Sequence, residues 1–331
     1  MDQEVKPWSR LALIFPGQGS QHVGMGERLA QVSTAAREVF RRADEVLERQ
    51  LSKLCWEGPE SELESTSNQQ PASFVTSIAW LEALKERWHE LGKTLQPHIF
   101  AGHSMGEFTA AVAAGSLEFD EGLRLVSERG RLMAEANDEN PGGMASIIGL
   151  DEETVAGLCE QAAREGDAYV GLATINCDGQ YVISGYLKPL QIAMDLAEKA
   201  RARKVVRLPI TIASHSPLMA KASEGMNRLL QKLPIKDPVR PVVGNVNAVL
   251  LRTKDEIYGE LRDQLLHGVR WQKSVETMKV EGADMFIEVG PGNVLTRLVR
   301  RIDYELNSLP IADEYEGLLS DNFRKVEAAA L

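Results

Sequence analysis

The stretch His98-Ile-Phe-Ala-Gly-His-Ser-Met-Gly-Glu107 decides how this chain is read. His98 to Ala101 is an apolar run of strand type, Gly102-His-Ser-Met-Gly106 is a Gly-x-Ser-x-Gly turn, and the alanine-rich segment that stops at Gly115 is a helix. Strand, sharp turn and helix in this order lift a serine hydroxyl above a sheet and aim the helix N-terminus at the reacting atoms. The glycines permit the tight backbone path. An incidental serine in a glycine-rich turn is the plainer reading of five residues, but the elements on either side make Ser104 the candidate nucleophile.

Upstream, Leu11-Ala-Leu-Ile-Phe15 is a continuous apolar run of the kind buried on both faces of a parallel sheet, and Pro16-Gly-Gln-Gly-Ser-Gln21 is its turn. Helices are expected over residues 35–50, from Pro71 onward and over residues 120–136. Pro71 suits a first helical position, and an apolar stripe of Phe74, Ile78, Leu81, Trp88 and Leu91 follows it. From Gly142 the rhythm changes. Strands over 144–148, 169–175, 180–184 and 204–208, with helices over 152–164 and 190–202, give βαββαβ, a ferredoxin-like order. The expected fold is α/β: an α/β-hydrolase-like large domain with a mostly parallel sheet, residues 1–140 and 210–331, and an inserted ferredoxin-like small domain, residues 141–209. The large domain resumes near His215, passes through Val242-Val243, and ends with Met285-Phe-Ile-Glu-Val289, the turn Gly290-Pro-Gly292 and a last helix. The tail from Glu316 is polar.

Composition narrows the function classes. The chain has 331 residues, 44% hydrophobic and 26% charged, an ordinary globular balance. No apolar run reaches the ~18 residues a membrane helix needs. The first ten residues lack the apolar core of a secretory signal, so the expected location is cytoplasmic. A net charge of −11 argues against a general nucleic-acid binder. Cys55, Cys159 and Cys177 are odd in number and far apart, which fits neither a disulfide framework nor a zinc site; they read as reduced and structural.

A serine nucleophile needs a general base. Of the six histidines, His22, His89, His98, His103, His215 and His267, the one in Ile212-Ala-Ser-His-Ser-Pro217 lies where a sheet edge collects active-site residues, so His215 leads the candidates. Arg129 interrupts an apolar face of its helix formed with Gly122, Leu125, Leu132 and Ala136. A buried guanidinium must be paired. It either meets an internal carboxylate or faces a pocket, where its two parallel N–H groups match a substrate carboxylate. Gln18 and Gln21 are turn residues or supports of an oxyanion loop. Arg201-Ala-Arg-Lys204 and Arg297-Leu-Val-Arg-Arg301 are the dense positive clusters, either solvated faces or docking sites for phosphates or an acidic protein.

Together these segments resemble the malonyl-CoA:acyl-carrier-protein transacylase family and the related acyltransferase domains of polyketide synthases. The resemblance runs from about Leu11 to Ile302 through Phe15-Pro-Gly-Gln-Gly-Ser-Gln21, Gln70-Pro-Ala72, Gly102-His-Ser-Met-Gly-Glu107, Arg129-Gly130, Ser214-His215, Gln264 with Val269-Arg-Trp271, and Glu288-Val-Gly-Pro-Gly292. It implies malonyl transfer from malonyl-CoA to the phosphopantetheine thiol of an acyl carrier protein, with Ser104 acylated, His215 as base and then acid, and Arg129 on the malonyl carboxylate. It further implies Gln18 and the Met105 N–H as oxyanion donors, Gln264 orienting His215 through its main-chain carbonyl, and His103 and Asn176 in support. No metal or cofactor is implied, and a monomer suffices. Ile212-Ala-Ser-His215 matches neither the His-Ala-Phe-His typical of malonyl-selective polyketide domains nor the Tyr-Ala-Ser-His of methylmalonyl ones; the Ser before His leans to malonyl. The rivals are an acyl hydrolase on the same scaffold and a non-catalytic carrier-protein-binding subunit.

Overall fold

The structure is a computed structural model and describes residues 10–312; the N-terminal stretch before Arg10 and the polar tail from Glu316 lie outside them. The chain forms a mixed α/β fold built on two sheets. The larger contains β1 (Leu11–Phe15), β2 (Ile99–Gly102), β7 (Val242–Val243), β8 (Leu250–Leu251), β9 (Met285–Pro291) and β10 (Asn307–Ala312), in the order β10-β9-β1-β2-β7-β8. Every pairing is parallel except β7 with β8. All of β9 and all but the first residue of β1 are buried, as parallel strands covered on both faces require. The loops at the carboxyl ends of β1, β2 and β7 therefore converge at one edge, where open α/β sheets build sites.

The smaller sheet comprises β3 (Gly142–Ile148), β4 (Val170–Cys177), β5 (Gln180–Tyr186) and β6 (Lys204–Arg207), antiparallel throughout in the order β4-β5-β3-β6, the ferredoxin-like arrangement. Side chains of β3 alternate as the pleat dictates. Ala145 and Ile147 join Val155, Ile183 and Leu190 beneath the helices Glu152–Gly166 and Leu187–Lys199, whereas Met144 packs with Ala173 and Val182 on the other face. Backbone bonds between Ile175 and Val269 (2.9 Å) and between Val269 and Ala173 (2.9 Å) tie β4 to the large sheet's periphery.

Several expectations are corrected. The helix read as starting at Pro71 spans Thr66–Glu90 with Pro71 inside it. The missing N–H leaves one i→i−4 bond unmade near the start, a modest loss beside what the extra turn packs on. A Cβ on Gly130 would stand 2.6 Å from the Thr66 carbonyl, so the backbone of this turn lies directly on the Arg129 helix, Phe119–Glu139. Residues 69–81 are all buried, not only one stripe, and Leu91, read as part of that stripe, caps the helix end at 39% exposure. Strand β10, which the sequence did not suggest, carries Pro310; a strand with one paired flank tolerates the absent donor. Strand β8 is likewise additional.

Candidate active site

The turn after β2 is set by two close approaches. A Cβ on Gly102 would meet the Gly106 carbonyl oxygen at 1.9 Å, and one on Gly106 would meet the Phe15 carbonyl oxygen at 2.2 Å. Only glycine at both positions lets the chain reverse this tightly against β1. Ser104 takes a left-handed backbone, φ 52°, and its N–H donates to Asn245 Oδ1 at 2.7 Å. Met105 is wholly buried as the cap of the helix Gly106–Ala113, so its N–H stands at the positive end of the helix dipole.

His215 reaches the same point from the loop after β6. Its φ is 57°, and its neighbour Ser216 folds the loop by donating to the Ala213 carbonyl at 2.6 Å and accepting from the Leu218 N–H. The Nε2 of His215 lies 2.8 Å from Ser104 Oγ. Its Nδ1 lies 3.0 Å from the main-chain oxygens of both Gln264 and His267. Two acceptors on that side put the ring proton on Nδ1 and leave Nε2 as the acceptor for the serine hydroxyl. Burial first, and the nearby Arg129 second, lower the His215 pKa to about 3, against the smaller raising effect of the two carbonyls.

Arg129 is 1% exposed, with its guanidinium 5.5 Å from the Phe108 ring centre. Its Nη1 donates to Gln70 Oε1 at 2.8 Å and to Met133 Sδ at 3.2 Å; its Nη2 donates to Gln264 Oε1 at 2.9 Å and to Ser104 Oγ at 3.3 Å. Its Nε is buried without a partner. Burial lowers its pKa to about 10, so it stays cationic at neutral pH. Among the described residues no carboxylate forms an ion pair with it: amide oxygens, a thioether and a hydroxyl surround the charge. Of the two readings of a buried arginine, this arrangement favours a substrate carboxylate.

The cleft above Ser104 has a volume of about 280 Å³, and Gln18, His103, Asn176 and His215 line it. Met144 and Val182 form its wall from the small sheet, and Val294 and Leu298 another from the helix Val294–Ile302. Arg129 and Gln264 are not among the residues that line the cleft; Arg129 meets it through the Ser104 hydroxyl and Gln264 through the Ser104 carbonyl. His103 bonds Asn176 through Nε2 at 3.0 Å, and its ring lies 5.6 Å from that of Trp271. Gln18 lies on the loop after β1, and Gln21 bonds back to the Gly19 N–H at 2.8 Å. The clusters at 201–204 and 297–301 are exposed, apart from half-buried Ala202 and the buried Leu298 and Val299.

Sequence reasoning did not assign roles to Gln70, Glu107, Asn245 or the His267 carbonyl. Gln70 and Glu107 lie within quoted motifs, which is a signal. Asn245, after the two-residue strand β7, and a main-chain oxygen carry no signal in sequence.

The profile of the acyl transferase domain family matches residues 12–312. The chain is 41% identical over 305 residues to the malonyl CoA-acyl carrier protein transacylase of Bacillus subtilis (strain 168), covering 92% of this chain and 94% of that one. To the protein of the same name from Escherichia coli (strain K12) it is 40% identical over 294 residues, covering 89% and 93%. The crystal structure of an acyl carrier protein S-malonyltransferase from Vibrio cholerae superposes with a TM-score of 0.88 at 36% identity, over 96% of this chain and 100% of the other. A malonyl-transacylase solved in complex with its type II PKS acyl-carrier protein gives 0.89 at 35% identity, over 96% and 100%.

Proposed function

The chain belongs to the malonyl CoA-acyl carrier protein transacylase family and transfers malonyl from malonyl-CoA to an acyl carrier protein; we propose that it does so through a malonyl ester on Ser104, with His215 as base and Arg129 as the carboxylate clamp. One observation carries the residue assignment: the Ser104 hydroxyl lies within hydrogen-bond reach of both His215 Nε2 (2.8 Å) and Arg129 Nη2 (3.3 Å). Base and cation thus meet at one oxygen.

The chemistry follows from that geometry. His215 Nε2 takes the serine proton as Oγ attacks the thioester carbonyl. The Met105 N–H and Gln18 would receive the developing oxyanion, and each such donor typically contributes ~2.7–4 kcal/mol. The tetrahedral intermediate collapses, the C–S bond breaks, and His215 returns its proton to the coenzyme A thiolate. The phosphopantetheine thiol of the carrier protein then gives a proton to His215 and attacks the ester, regenerating Ser104. Two half-reactions at one site give ping-pong kinetics. Arg129 pairs with the free carboxylate in both. That pairing also bears on the base: a negative partner for Arg129 offsets the second cause of the low His215 basicity. The substrate thereby returns part of the basicity to the group that activates its attacker. An acyl hydrolase would have no use for a cation beside its nucleophile, which leaves that rival without support.

The proposed division remains 1–140 with 210–331 for the large domain and 141–209 for the small one. We assign the chain to the cytoplasm, in keeping with three buried free cysteines; no described helix is long and apolar enough to cross a membrane. All proposed site residues come from one chain, so a monomer suffices. Neither a metal, a cofactor nor nucleic acid enters the scheme.

Intact-protein mass spectrometry after brief mixing with malonyl-CoA tests the reading. A malonyl-sized adduct on wild type but not on Ser104→Ala, discharged by phosphopantetheinylated carrier protein, is expected. Release of free malonate without transfer would point to the hydrolase; no adduct and no turnover, to a binding subunit.

A further inference from the structure

Glu107 follows the nucleophile turn at 1% exposure, and none of the steps above uses its carboxyl. Its Oε1 accepts from the backbone N–H of Asn245 at 2.8 Å and from the Asn245 amide at 3.0 Å. Its Oε2 accepts from Gln264 Nε2. A second buried carboxyl, Glu260, neighbours Glu107 and accepts from the Val246 N–H at 2.7 Å. The Gln264 Nε2 also donates to the Ser104 carbonyl at 2.8 Å, while its Oε1 faces Arg129 at 2.9 Å. An amide has one accepting end and one donating end, and a guanidinium can only donate. The Gln264 oxygen faces Arg129 because two acceptors, Glu107 and the Ser104 carbonyl, stand at its other end.

Building on the malonyl-transfer reading, we propose that Glu107 is a positioning residue for acyl-group specificity, fixing the Gln264 amide with its oxygen toward Arg129 so that neutral acceptors hold the guanidinium and its charge is left for the acyl carboxylate. The distinction is one of charge. A carboxylate in place of the amide oxygen would neutralise Arg129 before substrate arrived; an NH₂ group would drive it off. Gln70 supplies the other neutral acceptor. Burial, and then the neighbouring Glu260, push the Glu107 carboxyl well above its ordinary range.

The experiment compares kcat/KM for malonyl-CoA and acetyl-CoA in wild type, Glu107→Gln, Glu260→Gln and Gln264→Met, with Ser104 acylation of wild type as reference. In Glu107→Gln the new oxygen stays with the Asn245 N–H groups, one of which is backbone and cannot turn. Its NH₂ then faces the NH₂ of Gln264, which pushes the Gln264 amide off the position that holds its oxygen on Arg129. The malonyl-to-acetyl ratio is expected to fall on the order of tenfold to a hundredfold, the loss of one charge-assisted bond, with acetyl transfer undiminished. Glu260→Gln removes a carboxyl from the same buried pair but leaves Glu107 an acceptor, so the ratio holds. Gln264→Met keeps the carbonyl that orients His215 but deletes the amide; the ratio falls, and adding Glu107→Gln lowers it no further. Equal loss with both acyl groups in Glu107→Gln overturns the inference. A wild-type ratio in Gln264→Met overturns it even if Glu107→Gln does not fold. Absence of a malonyl adduct on wild-type Ser104 overturns the transfer reading, and this inference with it.

Discussion

Ser104 Oγ and His215 Nε2 meet at 2.8 Å, and both residues hold a left-handed backbone, with φ 52° and 57°. Each such conformation typically costs about 1–3 kcal/mol in a non-glycine residue and persists only when its surroundings dictate it. Here they do: Asn245 holds the Ser104 N–H, and Ser216 folds the His215 loop. His215→Ala should leave the adduct forming slowly, with single-turnover acylation reduced on the order of 10²–10⁴-fold. Unchanged acylation would remove His215 from the base role.

Arg129→Ala should cut kcat/KM for malonyl-CoA on the order of tenfold to a hundredfold, while acetyl-CoA is accepted better than before. Arg129→Lys, which keeps charge but loses the two-pronged geometry, should recover part of the malonyl activity at most. Steady-state kinetics with both thioesters decide it, and malonyl transfer unaffected by Arg129→Ala would end the clamp assignment.

Acid should weaken the fold through buried histidines. Burial holds His103 below its ordinary 6.5, and burial with Arg129 holds His215 at about 3. A ring less basic when folded takes its proton more readily in the unfolded chain, so each contribution is full above 6.5 and falls below it, that of His215 being lost as pH falls towards 3. Urea melts across this range should show a steeper decline for wild type than for His215→Asn, by at most about 1.4 kcal/mol per pH unit. Parallel slopes would contradict the neutral, buried state of the base.

Gly102→Ala should destabilise the fold by about 1–3 kcal/mol or more, because its methyl would fall on the Gly106 carbonyl at 1.9 Å. The same displacement moves Ser104, so the surviving folded protein should acylate poorly. A normal melting temperature with normal acylation would show that the turn can be made another way.

Carrier-protein docking should favour the helix Val294–Ile302 over the 201–204 cluster. Val294 and Leu298 line the cleft, and Arg301 bonds Gln180, another cleft residue. Charge reversal at Arg300 and Arg301 should raise the KM for carrier protein without altering that for malonyl-CoA, and reversal at Arg201, Arg203 and Lys204 should do less. The opposite ranking would move the docking face to β6.

What was legible in the sequence was local. The nucleophile turn needs only a strand, two glycines and a helix in a row, and the βαββαβ rhythm announces the smaller sheet. Arg129 stood out because a charge broke an apolar face of one helix. What escaped required contacts between distant segments. Pro71 was read as a helix start because its own chemistry allows that, yet packing on Gly130 carries the helix back to Thr66. Asn245 joins Ser104 from 141 residues away, after a strand too short to leave a pattern. Glu107 closes the quoted nucleophile motif with no role of its own there, and only its enclosure by Asn245, Gln264 and Glu260 sets it apart.

His215 is oriented by two peptide oxygens rather than by a carboxylate side chain. Every amino acid supplies the same carbonyl, so no single-codon change at 264 or 267 can delete this part of the machinery. The base could be disarmed there only by moving the backbone. Selection at those two positions is therefore free to act on other demands, such as the Gln264 amide, without touching proton transfer.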